Sequence, residues 1–538
     1  MRWWGWGEDA GAVTLPDAAS HLLRDELDLS GEERGARVEL ADVLLPASSL
    51  AQPARRALDA AVGHENVMDS PQERVAHAAG RSYADLVRLR SGDASGAPDA
   101  VVRPQAADEV AAVLSACAAA GVAVIPFGGG TSVVGGVEAR PGAHSAAIAL
   151  DLRRMDRVLS VDRTSLTASL EAGLMGPQLE RLLGDSGLTL GHYPQSFEFS
   201  TVGGWVATRS AGQASTGYGR IDELVQSLRC ESPSGRLSTR DVPATAAGPS
   251  LRELLVGSEG ILGVITDATV RVRPAPADRY YEGWSFRSFE EGVEALRTLA
   301  QQDAAPDVAR LSDVDETRLT MALGSTGSVT ERAGRAYLRL RGREGGCLAF
   351  TGFEGTREDV ARRRGRCATM LRAAGGLSLG QRPGRSWLRG RFAAPYLRDE
   401  LLDRGVMAET LETATTWAGL PGLYAGVGRA LREALSARGT PPAVMCHVSH
   451  IYPSGASLYF TFLARQEEDA LAQWRAAKTA ASEAIVAGGG TITHHHAIGR
   501  DHRPWMRAEV GELGIELIRA AKARLDPAGI MNPGKLLP

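Results

Sequence analysis

Residues 122–137 read VAVIPFGGGTSVVGGV. A short β-branched run stops at Pro126 and enters a turn in which five of the nine residues 128–136 are glycine. Without Cβ atoms, and with positive φ open to it, such a turn can aim its N–H groups inward as an anion-binding nest, for which a pyrophosphate is the natural ligand. A tight inter-strand turn has the same composition. A Walker loop is excluded, because Thr131-Ser132-Val133 stand where Lys and Ser/Thr would be needed. A dinucleotide fingerprint opening a helix is excluded too, because Val133-Val134-Gly135-Gly136 starts a helix poorly.

Working outward, Val101-Val102 reads as a strand closed by Pro104, and Asp108–Ala120 as a helix with Val110, Val113, Leu114 and Cys117 on one face. Val122–Ile125 is the next strand, so the glycine turn sits at a strand end, where ligands of α/β sheets collect. Strands follow at 148–152, 158–161 and 166–171, then a helix at 176–183. Residues 193–221, YPQSFEFSTVGGWVATRSAGQASTGYGRI, are too rich in Gly, Ser and Thr for a core element. A loop of that length is functional or disordered, and Phe197, Phe199, Trp205 and Tyr218 argue against disorder. A third glycine-punctuated stretch, GSEGILGVIT at 257–266, runs into a strand that continues to Pro274. The Pro-Ala-Pro at 274–276 marks a boundary. Beyond it longer helices alternate with strands, among them 357–372 and 467–487, the latter with Leu471, Trp474, Ala477, Ala481 and Ile485 on one face. Upstream, 15–90 reads as mostly helical with breaks at Pro46 and Pro53. The expected units are 1–97, mostly helical; 98–275, carrying the glycine motifs; 276–490; and 491–538, returning to the second unit.

The chain has 538 residues, 44% hydrophobic and 23% charged, with net charge −4. This is globular and multi-domain, with no global pull toward nucleic acid. Cys117, Cys230, Cys347, Cys367 and Cys446 are scattered and never form a CxxC pair, which reads as reduced cysteine in a cytoplasmic protein. No apolar run is long enough to span a bilayer, and MRWWGWGEDA lacks the apolar core of a signal peptide. Trp3, Trp4 and Trp6 suit either an arm packed on its own domain or a contact with a membrane interface.

Three stretches in this order, PFGGGTS, QSFEFSTVGGWVATRSAG and GSEGILGVIT, resemble the FAD-binding domain of the vanillyl-alcohol oxidase and p-cresol methylhydroxylase flavoproteins. Within that superfamily nearly the whole chain resembles the alkyldihydroxyacetonephosphate synthase family more closely. The resemblance implies an α+β fold: a two-lobed FAD-binding domain with a cap domain made of an antiparallel sheet flanked by helices. It implies that Pro126, Phe127, Gly128, Gly129, Gly130, Thr131 and Ser132 hold the FAD pyrophosphate. Gln195, Ser196, Phe197, Glu198, Phe199, Ser200 and Thr201, with Thr208, Arg209, Ser210 and Ala211, would line the flavin and ribityl chain. Glu259, Gly260, Ile261, Leu262, Gly263, Val264 and Ile265 would close the site. Small hydroxyl residues can bond a buried polar cofactor without filling its space. Thr131 stands near the position where some superfamily members carry a tethering histidine, so noncovalent FAD is expected.

Downstream, 447–462 reads HVSHIYPSGASLYFTF. Leu458, Phe460 and Phe462 alternate with Ser457, Tyr459 and Thr461, giving an apolar face and one presenting a phenol between hydroxyls. The pattern alone makes Tyr459 a packed amphipathic residue; the resemblance makes it the catalytic tyrosine, which needs a nearby cation to act as a base near neutral pH. His494-His495-His496 follow three glycines. If extended, the run puts His494 and His496 on one face and His495 on the other. By resemblance these are catalytic groups over the flavin edge; a solvent-exposed run is the plain alternative. No metal is expected, because no Asp, Glu or Cys stands at obvious ligand spacing nearby. Arg310 matches a catalytic position of the family, and Arg398 one that grips the substrate phosphate, a task suited to a permanently charged bidentate guanidinium. The tail, LDPAGIMNPGKLLP, departs from the family and resembles the ending of FAD-linked hydroxyacid dehydrogenases, leaving the role of Lys535 open.

The implied reaction exchanges the acyl group of 1-acyl-dihydroxyacetone phosphate for a long-chain fatty alcohol, with flavin as an electron sink and no net redox change. The implied setting is a cytoplasmic homodimer with peripheral membrane contact and no nucleic-acid partner. An FAD-linked oxidoreductase acting on a 2-hydroxy acid such as D-lactate is the alternative, and a flavin-binding interaction protein without turnover a third.

Overall fold

The strand Ala146–Asp151 is buried at every position, as expected of a strand covered on both faces. It pairs in parallel with Ala100–Val102 on one side and Val122–Phe127 on the other, and Val67–Met68 adds antiparallel to Ala100–Val102. In this computed structural model, which describes residues 1–35, 37–325 and 328–538, the sheet order is thus 67–68, 100–102, 146–151, 122–127. The helix Ala107–Ala120 covers it through Val110, Val113, Leu114 and Cys117, the face its spacing predicts.

Val122–Phe127 ends the sheet order, so Pro126, which has no N–H to give, costs the ladder little there. The other side of this strand is taken up by the C-terminal segment. Val124 donates to the Ile530 carbonyl at 2.8 Å, and Asn532 donates to the Val124 carbonyl at 2.9 Å. Pairing of the tail removes an open sheet edge and brings Asn532 beside the glycine turn.

An antiparallel five-stranded sheet completes this lobe, in the order 158–162, 167–171, 264–271, 225–232, 235–238. Residues 193–221 differ from the expected irregular loop. Thr201 caps a helix, Val202–Thr208, that buries Val202, Trp205 and Val206. Its Gly203 is pressed against Ala172, where a Cβ would come within 2.7 Å of the alanine methyl. Tertiary burial outweighs the low helix propensity of VGGWVAT.

Beyond Pro274 the second lobe is an antiparallel seven-stranded sheet, ordered 377–380, 278–286, 347–355, 308–312, 443–452, 455–465, 406–416. Helices 289–301, 357–373, 420–436 and 470–487 contribute to one apolar core with it, holding Trp284, Phe286, Phe353, Phe460 and Phe462. The architecture is the expected α+β arrangement of two lobes, one of them an antiparallel sheet flanked by helices. Residues 1–97 spread over both lobes: Asp17–Leu27 packs on Leu401, Val406, Met445 and Leu463, and Tyr83 and Leu86 join the core of the seven-stranded lobe. Pro53 starts a helix, Gln52–Val62, where the sequence suggested a break; proline is tolerated in a first turn because that N–H has no helical partner anyway.

The tryptophan arm packs on its own chain. Trp6 donates its backbone N–H to Asp399 at 2.6 Å, and the Trp4 ring lies among the guanidinium groups of Arg2, Arg37 and Arg90. All five cysteines are free and buried.

Candidate functional site

A cavity of about 530 Å³ lies between the lobes. Its size suits a bound small molecule. At one end the wall is Pro126, Phe127, Gly128, Gly129, Gly130, Thr131 and Ser132, with Gln195, Ser196, Ser200, Thr201, Thr208, Ser210, Ala211, Glu259, Gly260, Gly263 and Ile265. At the other it is Arg310, Arg398, Tyr459, His495 and His496. The fold thus brings residues more than three hundred positions apart to one space.

The glycines are bare because the turn packs on the second glycine-rich stretch. A Cβ on Gly129 would sit 1.6 Å from the Phe199 carbonyl oxygen, and one on Gly128 2.3 Å from Thr201 Oγ1. Gly130 has φ +66, the left-handed region. Among the described residues, the N–H groups of Gly129, Gly130 and Thr131 find no acceptor in the chain. Asn532 Oδ1 and Gln213 Oε1, both in the cavity wall, are likewise buried without a partner. Glu259 lines the cavity but spends its carboxylate on the N–H groups of Ile498 and Gly499 at 2.8 and 2.7 Å. Burial pushes that carboxyl up to about 7 despite these bonds. Glu259 therefore ties the third glycine stretch to the segment just after the histidines.

Several residues expected at the cofactor lie behind the wall. Phe197 stacks on Phe392 at 5.4 Å, Phe199 meets Trp6 edge-on, and Arg209 pairs with Asp222 and Glu253. Ile261 and Leu262 belong to one apolar core and Val264 to another. Glu198 is half-buried and outside the lining set.

The other end is organised by a residue the sequence reading did not single out. Glu412, on the strand Val406–Thr416, is 1% exposed and accepts bonds from Thr493 Oγ1 at 2.6 Å and from the N–H groups of His494, His495 and His496 at 2.5, 3.1 and 2.8 Å. Burial opposes its ionisation, but the neighbouring imidazoles and these bonds hold it well below the usual carboxylate range. The turn around this carboxylate replaces the alternating faces expected of an extended run: His495 and His496 line the cavity, while His494 turns to Tyr452. A buried glutamate on a strand more than eighty positions upstream carries no sequence signal linking it to a histidine run.

Directly opposite residues place Glu412, Tyr459 and His447 side by side on three neighbouring strands. The Tyr459 ring is stacked with His447 at 4.9 Å and His495 at 6.0 Å and meets His496 edge-on at 5.5 Å. Burial pushes its phenol up to about 12, so it stands protonated as a donor. The imidazoles shift the other way. Burial lowers His495 to about 4 and lowers His494 and His496 as well, leaving neutral rings able to accept protons.

Arg310 contacts Glu316 at 2.7 Å and His447 Nδ1 at 3.1 Å, and His447 Nδ1 is 2.9 Å from Glu316. Burial raises the Glu316 carboxyl less than His447 and Arg310 depress it, to about 2. Arg398, on the helix Ala394–Asp403, donates Nη1 to the Arg81 carbonyl at 2.7 Å and keeps a buried Nε without a partner. Such an unsatisfied cation at a cavity wall suits an anionic ligand. Atoms of Glu412, His450, His494, His495 and His496 lie within cation-binding reach in two groups. Glu412 is engaged by Thr493 and the backbone, and both ring nitrogens of His494 are engaged by Tyr452 and His495. Lys535 is buried in the tail, donating to the Glu138 carbonyl at 3.0 Å and fastening the segment that carries Asn532.

Two family models match: the FAD binding domain over residues 98–240, and the C-terminal domain of FAD linked oxidases over 275–536. The alkyldihydroxyacetonephosphate synthase of Dictyostelium discoideum is 33% identical over 100% of this chain and 93% of its own length. A solved alkyldihydroxyacetonephosphate synthase superposes with TM-score 0.87 at 31% identity, covering 99% of this chain and 98% of the other. Substrate-bound p-cresol methylhydroxylase, at 14% identity and TM-score 0.67 over 92% of this chain and 98% of its own, shares the fold. A probable mitochondrial D-lactate dehydrogenase of Danio rerio is 28% identical over 82% of this chain and 84% of its own length.

Proposed function

Because the chain belongs to the alkyldihydroxyacetonephosphate synthase family, we propose that it exchanges the acyl group of 1-acyl-dihydroxyacetone phosphate for a long-chain alcohol, a step of ether-lipid synthesis. The observation that carries the reading is the cluster of Tyr459 with His495 and His496, the histidines fastened to Glu412, in the wall of the same cavity as the glycine turn.

The cofactor is FAD, and the glycine end fits it. Unpaired N–H groups of Gly129, Gly130 and Thr131 suit its pyrophosphate, and the unpaired Asn532 and Gln213 side-chain oxygens suit its polar groups. Bound there, FAD supplies an electron sink for the carbon beside the substrate ketone. Everything else falls to the chain. Arg398 anchors the phosphate. Burial disfavours the charged forms of His495 and His496, so both rings stand neutral and each keeps a nitrogen lone pair to which a proton can be handed. Tyr459 offers its phenol proton, and Glu412 fixes the histidines in place.

Leu319, Leu323, Leu397, Leu401, Met445 and Leu463 form an apolar stretch of the same wall. That lining suits an alkyl chain and has no use for an acid as small as lactate. Peripheral membrane contact is supported by the helix Val329–Leu340, which follows the cavity-lining helix Val314–Leu323. Among its described side chains, Arg332, Arg335 and Arg339 stand beside exposed Ala333, Ala336, Tyr337 and Leu340. Arg335 and Arg339 also pair with Glu331 and Glu344, so this helix would meet a lipid interface as an amphipathic helix with Arg332 as its basic contact. Among the described residues no helix is long and apolar enough to cross a membrane.

The test is anaerobic incubation of the yellow protein with 1-acyl-dihydroxyacetone phosphate and labelled hexadecanol, and separately with D-lactate. Labelled ether without flavin bleaching supports the synthase. Bleaching by lactate with no ether formed overturns it.

A further inference from the structure

The exchange, if the reading above is right, moves protons in opposite directions in its two halves. When the ester C1–O bond breaks, the departing carboxyl oxygen takes up a proton; when the alcohol O–H breaks and its oxygen bonds C1, a proton must be removed. A single buried imidazole doing both alone would pass through a charged form, imidazolate or imidazolium, in a site where charge is expensive. His495 lines the cavity and is not alone: its Nδ1 lies 3.0 Å from His494 Nδ1, and His494 Nε2 lies 2.6 Å from the Tyr452 hydroxyl. Tyr452 ends the strand Ala443–Tyr452, is half-buried beside exposed Pro453 and Ser454, and stands near the Arg220 guanidinium.

We propose that His495, His494 and Tyr452 form a proton relay joining the cavity to solvent, in which His494 and Tyr452 act as positioning residues through His495. In one state the Tyr452 hydroxyl donates to His494 Nε2, His494 Nδ1–H donates to His495 Nδ1, and His495 carries its proton on Nε2. Giving that proton to the leaving carboxyl draws one proton along each link, and Tyr452 regains one from water. The chain is then reversed, with His495 Nε2 free to accept the alcohol proton, which travels outward and restores the first state. Both histidines are neutral before and after each half, and no ring has to rotate. The fatty acid leaves protonated and ionises outside, so atoms and charge balance. The groups around the chain leave this path as the open one. Glu412, 3.4 Å from His495 Nδ1, is already engaged by Thr493 and three N–H groups. His450 Nε2 is engaged by the Gly212 carbonyl, and Asp222 by Arg220.

The test replaces Tyr452 by Phe, which keeps the ring and deletes the relay atom. Turnover of 1-acyl-dihydroxyacetone phosphate with hexadecanol is expected to fall on the order of a hundredfold, with unchanged KM and full FAD content. The residual rate should rise with added imidazole buffer and show an enlarged solvent deuterium isotope effect, which loss of packing would not produce. His494→Gln, which breaks the middle link, should share the buffer response and serves if the first variant folds poorly. Wild-type turnover in Tyr452→Phe, or a lowered rate that ignores buffer in both variants, overturns the relay. Absence of ether formation by the wild-type enzyme would overturn the synthase reading itself, a separate outcome.

Discussion

Glu412 and Tyr459 face each other directly across the strands Val406–Thr416 and Gly455–Arg465. Opposed residues of an antiparallel pair share a face, so the carboxylate that grips the histidine segment and the phenol that reaches the same cavity are held at one fixed spacing by backbone pairing.

Glu412→Gln is therefore expected to loosen the histidines. An amide keeps one acceptor but turns an NH2 toward donors. Turnover should fall on the order of a hundredfold. Loss of a buried, charge-assisted acceptor should cost about 2–3 kcal/mol of stability, read by denaturant melts of the holoenzyme. A variant with unchanged rate would remove Glu412 from the mechanism.

Arg398→Lys keeps the charge and loses the fork. KM for 1-acyl-dihydroxyacetone phosphate should rise roughly 10- to 100-fold while KM for hexadecanol stays put, since only the phosphate would use the guanidinium donors that Arg81 leaves free. Steady-state titration of each substrate checks it.

Gly129→Ala should purify without yellow colour. The new methyl would overlap the Phe199 carbonyl oxygen, 1.6 Å away, and prise the two glycine-rich stretches apart. Gly184→Ala, with nothing within 4 Å of its would-be Cβ, is the control and should retain flavin absorbance.

The acid limb of kcat/KM should extend well below the ordinary histidine range of about 6.5. His495 must be neutral to accept a proton, and burial brings its value to about 4, so activity should persist through pH 5 and be lost as pH falls toward 4. The same depressed value links to stability. What folding gains by keeping this ring neutral is present above pH 6.5 and is lost as pH falls through about 4. An acid limb centred near 6.5 would exclude His495 as the base.

Replacing Arg332, Arg335 and Arg339 by Glu should abolish co-flotation with phosphatidylserine vesicles, at roughly fivefold per neutralised charge, while leaving turnover of short-chain alcohols intact. Binding that ignores both salt and charge reversal would place the membrane contact elsewhere.

The three glycine-rich stretches were legible because their chemistry is local. A bare turn, a run of small hydroxyl residues and a glycine-punctuated strand entry each announce a backbone that something must approach closely. The helix Val202–Thr208 was not, because its low intrinsic propensity is overridden by Trp205 and Val206 entering the core. Behind-the-wall residues such as Phe199 and Ile261 sit within motifs whose neighbours line the cavity, and composition cannot tell which side of the backbone faces inward.

What could be read from the chain alone was three glycine-rich motifs in order, the boundary at 274–276, and a resemblance that implied the two-lobed fold and singled out Tyr459, Arg398 and the histidine run. Those follow from local spacing and from short motifs kept in order along the chain. It took the folded chain to show that Glu412 anchors the histidines, that His494 turns to Tyr452 while His495 meets the cavity, that Trp6 joins its wall, and that the C-terminal tail pairs with Val124 to deliver Asn532. The reason is physical. A buried carboxylate, a ring orientation or an edge-strand pairing is set by partners tens to hundreds of residues away, through burial and hydrogen-bond satisfaction that no window of sequence contains.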